Sequence, residues 1–229
     1  MEPETVKRSF CDGGEAPRGA RQDFVSIDSQ AKELVRQEDL HAKAPQLMPI
    51  CIAMLHGINV GGHKRIKMEQ LRRSFEGLGF EQVKTYIQSG NVVFKTTKLP
   101  AVELSKKIKE KLLSEFGFSV SVISRTADEM SKTIENNPFL QDRGIDQEKL
   151  HVTFLSDAPS PITLKRLADL TTAPDQSRCL DKEVYLYLPK GVSESGLMKT
   201  SLDRVLLVVT TTRNWKTVNQ LSQVCKDCR

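Results

Sequence analysis

No stretch of the 229-residue sequence approaches the roughly 18 uninterrupted apolar residues of a membrane span, so no membrane partner is expected. The N-terminus has no basic segment running into an apolar one, which argues against a secretory signal. Cysteine is scarce. The five residues, Cys11, Cys51, Cys179, Cys225 and Cys228, are odd in number and widely scattered. That argues against a disulfide framework and fits reduced thiols in the cytoplasm. Cys225 and Cys228 form a C-x-x-C, but a second ligand pair for zinc is missing, and the motif does not open a helix after a first strand. It is read as a frayed terminus. The four histidines (His41, His56, His63, His151) show neither metal-ligand spacing nor a Ser-His-Asp arrangement, so no catalytic residue is assigned. Neither G-x-x-x-x-G-K-[ST] nor G-x-G-x-x-G occurs, and no cofactor is expected.

Charge is present but unevenly placed. Residues 1–47 carry a net −2 and the remainder +7, of which +5 falls within residues 50–99. A local excess of that kind points to an anionic partner. Residues 1–47 also mix Gly13, Gly14, Pro17 and Gly19 with few large apolar side chains, although residues 29–41 could form a short helix. The expectation is a disordered or loosely attached extension over 1–47.

From residue 50 the periodicity sharpens. Residues 50–55 read as a buried strand, and 68–78 as a helix with Met68, Leu71, Phe75 and Leu78 on one face. Residues 83–87 and 92–95 read as strands joined by the turn Gln88-Ser89-Gly90-Asn91. Residues 101–116 form an amphipathic helix stopped by Gly117, and 120–123 a fourth strand. A linking helix over 127–137 follows. The order then repeats: strand 150–155, helix 162–170 opened by Pro161, strands around 179–180 and 184–188, helix 197–206, strand 207–211 and a last helix over 214–224. This is an α+β protein with two ferredoxin-like (βαββαβ) subdomains in tandem plus a C-terminal helix. Its parts are 48–125, a linking helix and loop at 126–149, and 150–229.

Two motifs combine flexibility and charge. The loop Gly57-Ile58-Asn59-Val60-Gly61-Gly62-His63-Lys64-Arg65-Ile66-Lys67 lies between a strand and a helix. Glycines permit close backbone approach there, and Lys64, Arg65 and Lys67 supply cations, which are the ingredients of a phosphate or carboxylate cradle. Gly57, Gly61 and Gly62 serve tight turning equally well without a ligand. In Arg213-Asn214-Trp215, Arg213 is a candidate anion contact, Asn214 a helix N-cap, and Trp215, the sole tryptophan, either a stacking surface or a core anchor. The expected ligand is a phosphorylated small molecule held at Gly61 and Gly62, neutralised by the three cations and oriented by Asn59. Single-stranded nucleic acid on a sheet face, through Tyr86 and Phe94, is the second expectation, though the RNP1 pattern is absent. A regulatory or scaffolding domain without a small ligand is the third.

The segments Leu55-His56-Gly57-Ile58-Asn59-Val60-Gly61-Gly62, Ile66-Lys67-Met68 and Thr85-Tyr86-Ile87-Gln88-Ser89-Gly90-Asn91-Val92-Val93-Phe94 resemble the domain of unknown function 1697 family of bacterial proteins. So do Asn137-Pro138-Phe139, Leu150-His151-Val152, Tyr185-Leu186-Tyr187-Leu188-Pro189 and Thr212-Arg213-Asn214-Trp215-Lys216-Thr217-Val218. The resemblance covers about residues 50–224. It implies two related α+β subdomains and no particular reaction. The chain departs from the family pattern at His56, where Arg is common. It departs again at Ser193-Glu194-Ser195-Gly196-Leu197, where a Gly-Arg-Ser-Lys-Leu type segment is usual, so the second loop loses two basic residues.

Overall fold

A computed structural model describes residues 48–59, 64–97 and 99–228. The extension over 1–47, its short helix, and Gly61 and Gly62 of the loop lie outside the described residues. The first half runs β1 (Ile50–Leu55), α1 (Met68–Glu76), β2 (Glu81–Tyr86), β3 (Asn91–Lys95), α2 (Ala101–Phe116) and β4 (Val122–Thr126). Its antiparallel sheet has the order β2-β3-β1-β4. Helix α3 (Ala127–Glu135) begins directly after β4. The second half runs β5 (Leu150–Leu155), α4 (Pro161–Leu170), β6 (Gln176–Leu180), β7 (Glu183–Tyr187), α5 (Leu202–Leu206) and β8 (Thr210–Asn214), ordered β6-β7-β5-β8. Helix α6 (Trp215–Lys226) closes the chain. Both halves are therefore βαββαβ units with the same strand order.

Local chemistry sets the junctions. Thr126 and Glu129 form a reciprocal capping box at the start of α3. Asn214 accepts from the Thr217 N–H at 2.8 Å and caps α6. Pro161 fills the first turn of α4 behind the Ser160 cap, and Gly117, at φ +74°, ends α2 in the left-handed conformation.

Alternation along β1 decides how the layers stack. Cys51, Ala53 and Leu55 face α1 and α2, packing with Leu71, Phe75, Phe94, Leu104 and Ile108. Ile50, Ile52 and Met54 point the other way, into a core shared with Val152, Phe154 and Tyr185 of the second sheet and Met130, Trp215, Val218 and Leu221 of α3 and α6. Leu155, Val184 and Leu186 pack outward against α4 and α5 through Leu167, Leu202 and Leu206. The sheet face that an open ferredoxin-like unit presents to solvent is here sealed against the other half.

Four expectations are corrected. The helix read over 197–206 is a 3-10 turn (Leu197–Lys199) and the separate α5, because Thr200 and Ser201 adopt extended backbone between them. The strand read over 207–211 lies at Thr210–Asn214: Leu207 takes the left-handed conformation at φ +57°, which ends α5 and delays the strand. The fourth strand lies at Val122–Thr126 rather than 120–123. Finally, the C-terminus is not frayed. Helix α6 reaches Lys226, and Cys225 and Cys228 are buried in the shared core.

Candidate functional site

The loop after β1 is closed by one side chain. Asn59, at φ +55°, accepts from the Ile66 N–H at 2.9 Å and donates from its amide to the Ile66 carbonyl at 3.0 Å and the Gln88 carbonyl at 2.9 Å. Both amide hydrogens are thereby committed, so Asn59 shapes the loop and ties it to the β2–β3 turn. Ile58 and Ile66, both buried, pin the loop to the first core. The turn at residues 88–91 lies directly against it: the Leu55 N–H donates to the Gly90 carbonyl at 2.8 Å. Gly90 has φ +75°, and a Cβ there would come within 2.6 Å of Ile58 Cδ1. Only glycine fits. Gly57 is also left-handed at φ +66°, in open space.

The cations sit on the outer side of this staple. Lys64 is exposed and donates from Nζ to the Ser119 carbonyl at 2.9 Å. Arg65 and Lys67 are exposed and have no carboxylate partner among the described residues. With Asn59, Gln70 and Gln88 they line an open groove of about 590 Å³. Lys67 occupies the N-cap position of α1, and no side chain caps that end. The nearest acidic residues on α1, Glu69 and Glu76, are paired with Arg73 and Arg72. The groove is therefore an open concave surface, part apolar through Ile66 and Met68, that carries two cations without a carboxylate partner among the described residues.

The other expected residues are placed elsewhere. Trp215 is a core anchor, 5% exposed, and Asn214 is the α6 cap. Arg213 is buried beneath the 88–91 turn. Its Nε donates to Asn91 Oδ1 at 2.7 Å, its Nη1 to the Thr211 hydroxyl and the Thr212 carbonyl, and its Nη2 to the carbonyls of Leu55 (2.7 Å) and Ser89 (3.2 Å). All five guanidinium N–H groups are used within the protein. Phe94 is fully buried, stacked on Phe80 at 4.5 Å, and Tyr86 packs against the shared core, so the aromatics expected to stack on bases are occupied by packing.

The family described as "protein of unknown function (DUF1697)" matches residues 48–185. The chain belongs to this family. Among solved structures it is similar to the conserved bacterial protein SP0830 from Streptococcus pneumoniae, with a TM-score of 0.60 and 21% identity over 78% of this chain and 99% of that one. That likeness is one of fold. No curated protein matches the chain. No helix among the described residues is long and apolar enough to cross a membrane.

Within this DUF1697 fold the two halves grip each other through a repeated device; of its two arginines the sequence points only to Arg213, and to that one as an anion contact. Arg125 on β4 stands where Arg213 stands on β8. Its Nε donates to Glu183 Oε1 at 2.9 Å, its Nη1 to the Ser124 carbonyl, and its Nη2 to the carbonyls of Leu155 (2.8 Å) and Lys182 (3.3 Å). Each arginine thus reaches the end of the other half's first strand, the turn of its hairpin and the first residue of its third strand. A sequence signal exists: Ser124-Arg125-Thr126-Ala127 and Thr212-Arg213-Asn214-Trp215 both place Arg between a hydroxyl residue and a helix N-cap. The devices differ in charge. Arg125 meets the carboxylate of Glu183, whereas every acceptor of Arg213 is neutral. Burial pulls the Arg213 pKa down to about 10, which leaves it cationic at neutral pH. Burial also pushes the Glu183 carboxyl above its ordinary range despite the opposing pull of Arg125.

Proposed function

We propose that the chain binds an anionic, phosphorylated small molecule in the groove formed by the loop after β1 and the β2–β3 turn. The observation that carries this reading is the pair of exposed cations, Arg65 and Lys67, lining one groove without a carboxylate partner among the described residues. Gln70 and Gln88 on the same walls supply neutral polar groups that can hydrogen-bond phosphate oxygens. The Asn59 staple supports the reading too, because it holds the two walls in register before any ligand arrives, which lowers the ordering cost of binding. Lys64, held back toward Ser119, borders the cations and adds positive potential.

A thermal-shift series with phosphate, pyrophosphate and nucleotides tests this. A ligand at 100 times its dissociation constant stabilises the folded state by about 2.7 kcal/mol, an increase in melting temperature that is easily read. The wild type should respond. An Arg65→Ala/Lys67→Ala variant should remain folded, since exposed charges contribute little to stability, and should lose the response. Equal shifts in both proteins would indicate general ionic stabilisation, and the groove would then be a structural feature of a scaffolding domain.

A further inference from the structure

Resting on the groove reading above, we infer that Arg213 is a fixed positive charge built beneath the groove, and that Asn91 is the specificity-determining residue that keeps this charge uncompensated. The inference comes from comparing the two equivalent devices. In the second half the first residue of the third strand is Glu183, and its carboxylate meets Arg125 at 2.9 Å. In the first half the same position is Asn91, whose Oδ1 accepts from Arg213 Nε at 2.7 Å and whose amide donates to the Ser89 hydroxyl at 2.9 Å. The hydrogen-bond pattern is preserved and the countercharge is gone.

Burying a guanidinium without an anion is costly, and the chain already contains the neutralised version of the same clamp. A clamp that served only to join the halves would do so as well with a carboxylate. The position of the uncompensated charge is informative. Arg213 Nη2 donates to the Ser89 carbonyl, and the adjacent Gln88 carbonyl is tied to Asn59, so the guanidinium lies one turn away from two residues lining the groove. The turn itself is held in an unfavourable backbone state: Ile87, a β-branched residue, sits at φ +48° and is 49% exposed. A buried cation bonded to the turn that lines the groove is poorly screened by salt, so it contributes to anion attraction where exposed lysines lose theirs. The class of ligand it favours carries more than one negative charge.

Isothermal titration with inorganic pyrophosphate tests this, using Asn91→Asp, Arg213→Met and Glu183→Gln beside the wild type. Asn91→Asp keeps the shape of the clamp and supplies the missing countercharge. Adding that countercharge should weaken affinity about tenfold. Arg213→Met removes the charge by the opposite route and should weaken binding similarly. It also serves if Asn91→Asp fails to fold by near-UV circular dichroism. Glu183→Gln alters the equivalent clamp of the other half and should leave pyrophosphate affinity within about twofold of wild type. Wild-type binding that Asn91→Asp retains within twofold overturns the fixed-charge inference and leaves the groove reading standing. Absence of any pyrophosphate binding by the wild type overturns both.

Discussion

Gly90 concentrates at one residue the constraint that shapes the candidate site. Its φ of +75° lies in the region that side chains disfavour, and an added Cβ would come 2.6 Å from Ile58 Cδ1 and 2.8 Å from Leu55 Cβ. Neither neighbour can retreat, because both are buried in the first core. A Gly90→Ala variant should therefore lose about 2–4 kcal/mol, left-handed strain and overpacking acting together, as read from chemical denaturation. A loss below about 1 kcal/mol would mean that the turn can relax away from the loop. His151 makes a second prediction at this scale. Burial lowers its pKa, and the hydrogen bond from its ring to the Lys149 carbonyl opposes this only in part. The unfolded chain then binds the proton more tightly than the folded one. The associated stability is present above the ordinary imidazole value of about 6.5 and is lost as pH falls through the native value. Denaturation midpoints measured from pH 5 to 7.5 should drop on the acid side, and His151→Gln should flatten that slope.

Helix α6 is the element whose ends matter most. Trp215, Val218, Leu221 and Cys225 line one face, and Cys228 follows them into the shared core. Replacing both cysteines with serine puts two hydroxyls where thiols lay among apolar side chains, so Cys225→Ser/Cys228→Ser should cost about 2 kcal/mol or more in urea denaturation. An unchanged midpoint would restore the frayed terminus expected from the motif's position. The elements also mark where the sequence was legible. Residues 101–116 and 150–155 were readable to the residue, because strong periodicity and a terminal Gly117 or a clean apolar alternation leave little choice. The strands carrying Arg125 and Arg213 were both placed too early, for one shared reason. Apolar runs precede them, and a buried arginine at a strand end reads as solvent-facing unless its distant acceptors are known. The groove was half legible. Lys64, Arg65 and Lys67 stood out as a charged loop, while the roles of Asn59 and Arg213 depended on carbonyls at Gln88 and Leu55, which no local pattern reveals.

For the whole molecule, the decisive fact is that each half packs one face of its sheet on its own helices and leaves the other face to be covered by its partner half. Ile50, Ile52, Met54, Val93 and Ile123 from the first sheet meet Leu150, Val152, Phe154 and Tyr185 from the second, with α3 and α6 completing the layer. The two arginines reinforce this, since each donates from Nη2 to two carbonyls of the other half and from Nε to one of its side chains. If one half opened, the other would expose an apolar sheet face to water and lose the hydrogen bonds of both arginine clamps, so opening one half removes stabilisation from the other. The halves should therefore unfold together despite the internal repetition. Tryptophan fluorescence reports only on Trp215 and far-UV circular dichroism on all helices and strands, so the two transitions should coincide in urea. Native-state hydrogen exchange gives the sharper test. The slowest amides of β1 and β5 should share one opening free energy, equal to the global value. If β5 instead opened well below β1, the shared core and its arginine clamps would be too weak to couple the repeats. The chain would then behave as two separate βαββαβ units in contact.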